Sequence, residues 1–261
     1  MQESMFSGLF GALTNEHRLN SIANNLANVN TTGYKREMLA FADTMNFYAH
    51  DIIMEPTQSI RSSKLFPDPM LMARSRIAVS QTDFSQGSMV YTGSPLDVAI
   101  AGDGFFRVRT DAGDYLTRNG HFVMNAEGTL VNAMGQPILS VDGNEIVLPP
   151  RGHIHISFDA RVFSDGEELA QLAVVGVDDL LQLEKLGGNM YRARRGSQVA
   201  EEQLEEIMIN QGYLEKANVE VVTEMVNMIE AQRQFEAYQK VMQTSDAVDK
   251  EAITKVGRGR A

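Results

Sequence analysis

Apolar residues recur at intervals of three and four along the first 28 residues of the chain, which is the period of an amphipathic helix. Asn, Thr and Gly residues at 28–33 predict the end of this helix. About 24 residues at ~1.5 Å each give a rod of roughly 36 Å. The predicted apolar face consists of Met5, Leu9, Ala12, Leu19, Ala23 and Leu26, widened by Phe6, Phe10, Leu13 and Ile22.

A second and longer amphipathic helix is predicted at the other end of the chain. Asn218 is a residue type that favours the N-cap position, and neither glycine nor proline occurs between residues 213 and 256. At roughly 35–39 residues such a helix reaches about 55 Å. Its apolar face consists of Val221, Met225, Met228, Phe235, Tyr238, Met242, Val248 and Ala252.

Between these ends the pattern changes to short β-branched and aromatic runs separated by glycine turns. This alternation is typical of an all-β domain, either a small barrel or a sandwich. Residues 169–177 are interpreted as a strand and residues 178–184 as a short helical turn. The turn dipeptides are Asp103-Gly104, Ala112-Gly113, Asn119-Gly120, Glu127-Gly128, Asp142-Gly143 and Asp165-Gly166.

The chain is therefore predicted to be an α+β protein with three parts. Residues 1–36 and 214–261 together form a helical axial-core domain. Residues 37–92 form an extended and partly stranded connector, and residues 93–213 form the β-rich domain.

The connector is rich in proline, which disfavours regular sheet and helix. Four of the seven prolines of the chain lie between residues 37 and 95. We expect an extended course over 50–75 and strands over 76–92, on both sides of Gln86-Gly87.

The two terminal helices are predicted to pair with each other as a coiled-coil-like rod. A helix of about 55 Å cannot bury its whole apolar face on a β domain of this size. The N-terminal helix offers a matching apolar face. The alternative left open by the pattern is an ordinary core helix that packs on the sheet.

Charge and composition exclude several classes of protein. The formal net charge is −11 and the pI is near 4.9, which argues against a general nucleic-acid binder. The chain has no cysteine, so disulfides and cysteine-bound metals are excluded. We expect no cleaved signal peptide, because no basic segment precedes a long apolar run, and no membrane-inserted segment.

Residues 153–158 alternate in polarity, which predicts a strand with Ile154, Ile156 and Phe158 facing the core. His153 and His155 would share the opposite face, but no third ligand is indicated. We interpret the two histidines as an exposed polar face and expect no metal.

No pattern indicates catalysis. Asp142-Gly143-Asn144-Glu145 lacks the ligand spacing of a calcium loop and is interpreted as a hairpin turn. Gly102-Asp103-Gly104 lacks the continuation of a phosphate-binding loop. We expect no catalytic residue and no cofactor. A hydrolase or a binding module with a site on the β domain remains the alternative outside the interpretation below.

Four segments, in order along the chain, resemble the flagellar rod and hook family, the axial proteins of the bacterial flagellum. The most specific is Asn-Asn-Leu-Ala-Asn-Val-Asn-Thr-Thr-Gly-Tyr-Lys at 24–35, which we call the signature segment. Residues 94–106 and 115–122 are similar to the entry and next hairpin of the family's central domain. Residues 218–236 are similar to its C-terminal helix.

The resemblance implies a structural protein and not an enzyme. In this family the terminal helices form an inner tube and the β domain lies outside it. Length and the Ser-Pro-Leu-Asp-Val-Ala-Ile form of residues 94–100 are most similar to proximal rod members. A distal rod or hook-type subunit is the alternative.

The resemblance also implies where the protein works and with what. We expect it to polymerise helically with itself and other flagellar rod proteins and to transmit torque from motor to hook. It would be exported by the flagellar type III apparatus without cleavage. Its location would be the rod of the basal body, which spans the periplasm.

The expected assembly interface combines the two apolar faces with the signature segment. Burying a large apolar side chain contributes ~1.5–3 kcal/mol, so a few such residues suffice for each contact. The interface residues are Met5, Leu9, Ala12, Leu19, Ile22, Asn24, Asn25, Leu26, Asn28, Gly33, Tyr34, Val221, Met225, Met228, Ile229, Phe235, Tyr238 and Met242.

Overall fold

The computed structural model describes residues 2–46, 72–194, 201–204 and 208–258. It is a mixed α+β fold with helices at the two termini and mostly strands between them, which confirms the predicted class. α1 spans Gln2–Ala27 and α2 spans Val221–Arg258.

Most of the strands are short, and glycine turns separate many of them. In chain order they are β1 Glu37–Asn46, β2 Met72–Thr82, β3 Met89–Tyr91, β4 Val98–Ile100, β5 Phe105–Thr110, β6 Gly113–Thr117, β7 Phe122–Met124, β8 Leu130–Asn132, β9 Ile154–Ile156, β10 Arg161–Ser164, β11 Glu167–Gln171, β12 Val174–Val177, β13 Leu183–Gly187, β14 Met190–Ala193, β15 Glu201–Gln203, β16 Ile209–Gln211 and β17 Tyr213–Glu215.

The strands form one larger sheet and several small ones. The larger sheet has the order β13-β14-β6-β5-β12-β15, and a second sheet has the order β11-β10-β9. The two-stranded sheets are β1-β2, β16-β4, β17-β3 and β7-β8. Because β16 and β17 pair antiparallel with β4 and β3, the strands just before α2 return to the start of the β region.

Two clusters of buried apolar residues stabilise the β region. The larger contains the edge-to-face pair Phe106 and Phe122, with ring centroids 5.1 Å apart. In the smaller, Phe84 packs edge-on against Phe105 and Tyr191 at 5.6 Å and 5.2 Å. Such aromatic pairs add about 0.5–1.5 kcal/mol each to the burial of their area.

Residues 169–184 contain more secondary-structure elements than the sequence analysis predicted. Instead of one strand over 169–177 there are two, β11 and β12, which lie in different sheets. The predicted helical turn is a 3-10 helix at Leu180–Gln182, capped by the side chain of Asp179.

One core assignment is wrong. Ile156 is buried and Ile154 packs against the larger cluster, but Phe158 is 73% exposed. The strand ends at Ile156, and Ala160 N–H donates to Ser157 O to close a turn that carries Phe158 outward. Alternation therefore stops two residues earlier than the sequence pattern indicated.

Within the predicted connector, the strands expected over 76–92 can be compared with the structure. β2 and β3 cover much of 76–92, and residues 83–88 between them form no strand. The predicted extended stretch was 50–75, and most of it lies outside the described residues, which omit 47–71.

The chain divides into two compact units. One contains residues 1–23, 38–81 and 225–261; the other contains residues 24–37 and 82–224. The signature segment therefore belongs to the same unit as the β region. The domain limits drawn from the sequence stay a prediction.

Candidate assembly site

The first residues of the signature segment form the C-terminal end of α1, which stops at Ala27. Asn28 N–H donates to Asn24 O at 3.1 Å, and the Asn28 side-chain amide donates to Asn24 O at 2.9 Å and to Asn24 Oδ1 at 2.7 Å. Thr31 Oγ1 then donates to Asn28 Oδ1 at 3.3 Å. These bonds satisfy carbonyl groups that the last turn of a helix leaves without partners.

Asn25 has a different role, which explains an asparagine inside a helix. Its Oδ1 accepts from Tyr34 Oη at 3.0 Å and from Glu37 N–H at 2.9 Å, and its Nδ2 donates to Glu37 O at 2.9 Å. The side chain is buried. Asn25 therefore fixes the returning chain against the last turn of α1.

Gly33 adopts a backbone conformation that favours glycine. Its φ is +66°, and its N–H donates to Glu215 O at 2.8 Å. A Cβ atom at this position would lie 2.6 Å from the carbonyl carbon of Arg118 and 2.6 Å from Asn119 N. The signature segment thus approaches the backbone of the β region closely, and only glycine fits there.

Tyr34 is buried beside an ion pair. Burial, together with the negative charges of Glu37 and Glu224, raises the pKa of Tyr34 to about 12. Lys185 Nζ lies 3.9 Å from the centroid of the Tyr34 ring and 3.1 Å from Glu37 Oε1. Burial lowers the pKa of Lys185, and Glu37 partly offsets that effect. These contacts hold the end of the signature segment against β13.

Lys35 and Arg118 meet at Glu215. Lys35 Nζ lies 2.7 Å from Glu215 Oε1, and Arg118 Nε lies 2.7 Å from Glu215 Oε2. All three side chains are at most 4% exposed. Burial lowers the pKa of Lys35. Burial alone would raise the pKa of Glu215, but Arg118 and Lys35 together bring it below its ordinary value.

Asn218 is not the N-cap of α2, which corrects the sequence analysis. Its Oδ1 accepts from Arg36 N–H at 2.8 Å, and its Nδ2 donates to Asp83 O at 2.8 Å. The helix begins three residues later, at Val221. Asn218 therefore joins the chain after the signature segment to the segment before β3.

The predicted interface residues of α1 fall into two groups. Ala12 and Ile22 are buried, and Leu19 and Leu26 are half-buried. Leu9 is 43% exposed, and the side chain of Met5 lies outside the described residues.

The predicted residues of α2 divide in the same way. Met228, Phe235, Tyr238 and Met242 are half-buried. Val221, Met225 and Ile229 are exposed, as is Val226, which the prediction did not include. At 100° per residue, Met225, Val226 and Ile229 lie on the side of α2 opposite the half-buried row.

The half-buried row of α2 meets α1. A Cβ atom at Gly11 would lie 2.4 Å from Cε1 of Tyr238, and one at Gly8 would lie 3.1 Å from Cγ of Met242. The two helices therefore contact each other at Gly8 and Gly11, where α1 has no side chain to hold them apart. The exposed row Met225, Val226 and Ile229 is left to solvent.

The structure also places the two histidines that were considered as metal ligands. His153 precedes β9 and is exposed, and His155 Nδ1 lies 3.1 Å from Gln211 Oε1. Across the described residues, no group of three or more His, Asp or Glu side chains is arranged to hold a metal ion. None of the described helices has the length and apolarity needed to cross a membrane.

Sequence reasoning missed Lys35, Arg118, Glu215 and Asn218 as parts of the site. Lys35 and Arg118 lie inside the resembling segments, but only as members of a pattern. Glu215 carries no local signal, because a single carboxylate at the end of a short strand has the same appearance as a solvent-exposed one. Their association is tertiary.

Comparison with known proteins finds members of one family that match the chain over nearly its whole length. Three family models match: flagella basal body rod protein at residues 11–35, flagellar hook protein FlgE/F/G D1 domain at 99–167, and flagellar basal body rod FlgEFG protein C-terminal at 210–255. The chain is 32% identical over 259 residues to flagellar basal-body rod protein FlgF of Caulobacter vibrioides, covering 99% of both chains.

Two other relatives carry a different name within the same family. The chain is 31% identical over 265 residues to flagellar basal-body rod protein FlgG of Bacillus subtilis, covering 97% of this chain and 98% of the relative. It is 31% identical to flagellar basal-body rod protein FlgG of Borreliella burgdorferi, covering 94% and 96%.

Proposed function

The chain belongs to the family of flagellar basal-body rod proteins, a structural and non-enzymatic class, and from that premise we propose how it assembles. It is a structural subunit of the rod that polymerises helically through its terminal helices and transmits torque from motor to hook. It assembles with copies of itself and with other rod proteins. Each subunit contacts the next through different surfaces, and such heterologous contacts propagate as an open helical filament.

The observation that carries this proposal is the exposed apolar row of α2. Met225, Val226 and Ile229 are each 50% exposed. Apolar residues repeated on one side of a helix mark an interaction surface when nothing in the same chain covers them. Covering this row with a neighbouring subunit leaves the contact of α2 with α1 intact.

Several finer points belong to the same proposal. The two helices pair as a coiled-coil-like rod, for which the close approach of Gly11 to Tyr238 is the support. The β region is a small barrel or sandwich. The subunit occupies the proximal part of the periplasm-spanning rod and reaches it through the flagellar type III apparatus without cleavage.

The test replaces one residue of the exposed row. Val226→Asp places a charge where the proposal needs an apolar contact, and Leu181→Asp is its matched control, since Leu181 is 60% exposed and lies outside both helices. Both variants are expected to keep the circular dichroism spectrum of the unchanged protein, because neither side chain is buried.

Cells that lack the gene are complemented with each variant, and their basal bodies are examined by electron microscopy. We expect complete rods and swimming with Leu181→Asp, and truncated basal bodies without swimming with Val226→Asp. Antibody against residues 96–200 is expected to label the rod between the inner ring and the distal rod. Normal rods with Val226→Asp would overturn the assignment of the interface.

A further inference from the structure

Three charged side chains from distant parts of the chain meet in the interior of the unit that contains the β region. Lys35 belongs to the signature segment, Arg118 follows β6, and Glu215 ends β17. Lys35 and Glu215 are 180 residues apart in sequence, and Arg118 and Glu215 are 97 apart. The cluster therefore forms only after three separate segments have folded together.

The cluster contains two cations and one anion. Each oxygen of Glu215 accepts from a different cation, and Oε1 also accepts from Gly87 N–H at 2.8 Å. Within the part of the chain that the structure describes, neither cation has a second carboxylate within ion-pair distance. At ion-pair distance Glu215 compensates both charges, and Asp83 acts on Lys35 from farther away.

The other donors of the two cations are satisfied by carbonyl oxygens. Lys35 Nζ donates to Ser85 O at 2.8 Å. The Arg118 guanidinium donates to the carbonyl oxygens of Ile100, Gly102 and Gly104. Carbonyl groups orient the cations but do not cancel their charge, so removal of the carboxylate would leave two buried cations without a counterion.

The signature segment is also tied to β17 through the main chain, since Gly33 N–H donates to Glu215 O at 2.8 Å. β17 itself pairs with β3, with Glu215 opposite Met89. The position of the signature segment thus depends on a strand that comes just before the C-terminal helix.

We propose that Glu215 is a charge lock: the signature segment keeps its folded form only while this carboxylate, placed by the pairing of β17 with β3, neutralises Lys35. Without the carboxylate, Lys35 leaves the interior for water and takes the signature segment with it. A chain whose C-terminal strands have not yet docked then presents an incomplete assembly site. This last consequence rests on the proposed function, whereas the lock itself does not.

The experiment measures hydrogen exchange of the free full-length protein by mass spectrometry. Glu215→Gln removes the charge and keeps the shape. Lys35→Met combined with Glu215→Gln removes one of the two cations that the first change leaves unpaired, the one that belongs to the signature segment, and keeps Arg118. Asp114→Asn is the matched control, because Asp114 forms an ion pair with Arg109 whose side chains are 40% and 44% exposed.

In Glu215→Gln we expect exchange over residues 28–37 to accelerate on the order of 100-fold, since leaving a buried charge unpaired is strongly destabilising. In the double variant we expect part of the protection over 28–37 to return, since Lys35 no longer leaves the interior while Arg118 stays unpaired. Asp114→Asn is expected to leave exchange in this segment unchanged.

Two results would overturn the lock. One is unchanged protection of residues 28–37 in Glu215→Gln. The other is loss of protection that Lys35→Met does not reduce at all, because an unpaired Lys35 would then not be what opens the segment. If Glu215→Gln unfolds the whole unit, the urea midpoints decide the matter: the midpoint of the double variant must lie above that of Glu215→Gln.

Rod assembly in complemented cells separates the lock from the proposed function. Loss of protection in Glu215→Gln, partly restored in the double variant, establishes the lock whatever the basal bodies look like. Normal rods built from the unlocked variant would refute the use of the signature segment in assembly and leave the lock standing.

Discussion

Gly33→Ala tests whether the signature segment must approach the β region as closely as the structure shows. Alanine adds a single methyl group, so charge and polarity are unchanged. At Gly33 this methyl meets two separate obstacles. The backbone has a φ of +66°, and the new carbon would lie 2.6 Å from backbone atoms of both Arg118 and Asn119.

The two obstacles contribute comparable free energies. A left-handed conformation costs an alanine about 1–2 kcal/mol relative to glycine. Carbon atoms in contact prefer a separation of about 3.5–4.0 Å, so the backbone must move by roughly 1 Å. Overpacking of this kind costs about 1–3 kcal/mol. We therefore expect Gly33→Ala to lower the free energy of unfolding by about 2–5 kcal/mol.

Gly143→Ala isolates the conformational part of this cost. Gly143 has a φ of +76°, close to that of Gly33, and nothing lies within 4 Å of a Cβ added there. Its expected cost is about 1–2 kcal/mol. Urea unfolding of both variants, followed by far-ultraviolet circular dichroism, measures the two values. Equal losses in the two variants would refute the close approach at Gly33.

Three further changes probe other contacts. Tyr34→Phe removes the bond to Asn25 and should cost about 1 kcal/mol at pH 8. The pKa of Tyr34 rises from 10.0 to about 12 on folding, so the contribution of its neutral hydroxyl to stability is complete below pH 10 and is lost between pH 10 and 12. Over that range the urea midpoint should therefore fall less for Tyr34→Phe than for the unchanged protein. Lys185→Met, which removes the cation over the Tyr34 ring, should cost about 1–2 kcal/mol in the same assay. Gly11→Ala should weaken the contact of α1 with α2, and thermal melting should show recovery when Tyr238→Ala is added; no recovery would contradict the contact.

The sequence was sufficient to predict both terminal helices and the strand-rich middle. Regular apolar spacing defines a helix over many turns, so errors at one residue do not matter. Ends of elements depend on single residues, and there the prediction was less accurate. Asn218 has the chemistry of an N-cap, but its side chain is more fully satisfied by Arg36 and Asp83. Phe158 continues an alternation that the chain itself ends with a turn.

The sequence pattern identified the signature segment, but the contacts within the candidate site could not be derived from the sequence. Asn25 is three residues from Asn28 in sequence, yet one binds the returning chain and the other ends the helix. Glu215 is joined to Lys35 by tertiary folding alone. A sequence pattern with the period of a helix or strand reports only on neighbours within the same element. Contacts among three distant segments leave no such period.

α2 carries two apolar rows, which the sequence pattern alone does not separate. Steps of three and four residues connect Val221 and Met225 to Met228 as easily as to Ile229, so the sequence predicts one face. In the structure Met228 lies in the row that meets α1, whereas Met225 and Ile229 lie in the exposed row. A helix with apolar residues on two sides buries both only if it has two partners. α1 is one of them, and because this protein belongs to a family of flagellar rod proteins, we propose a neighbouring subunit as the second partner of the exposed row.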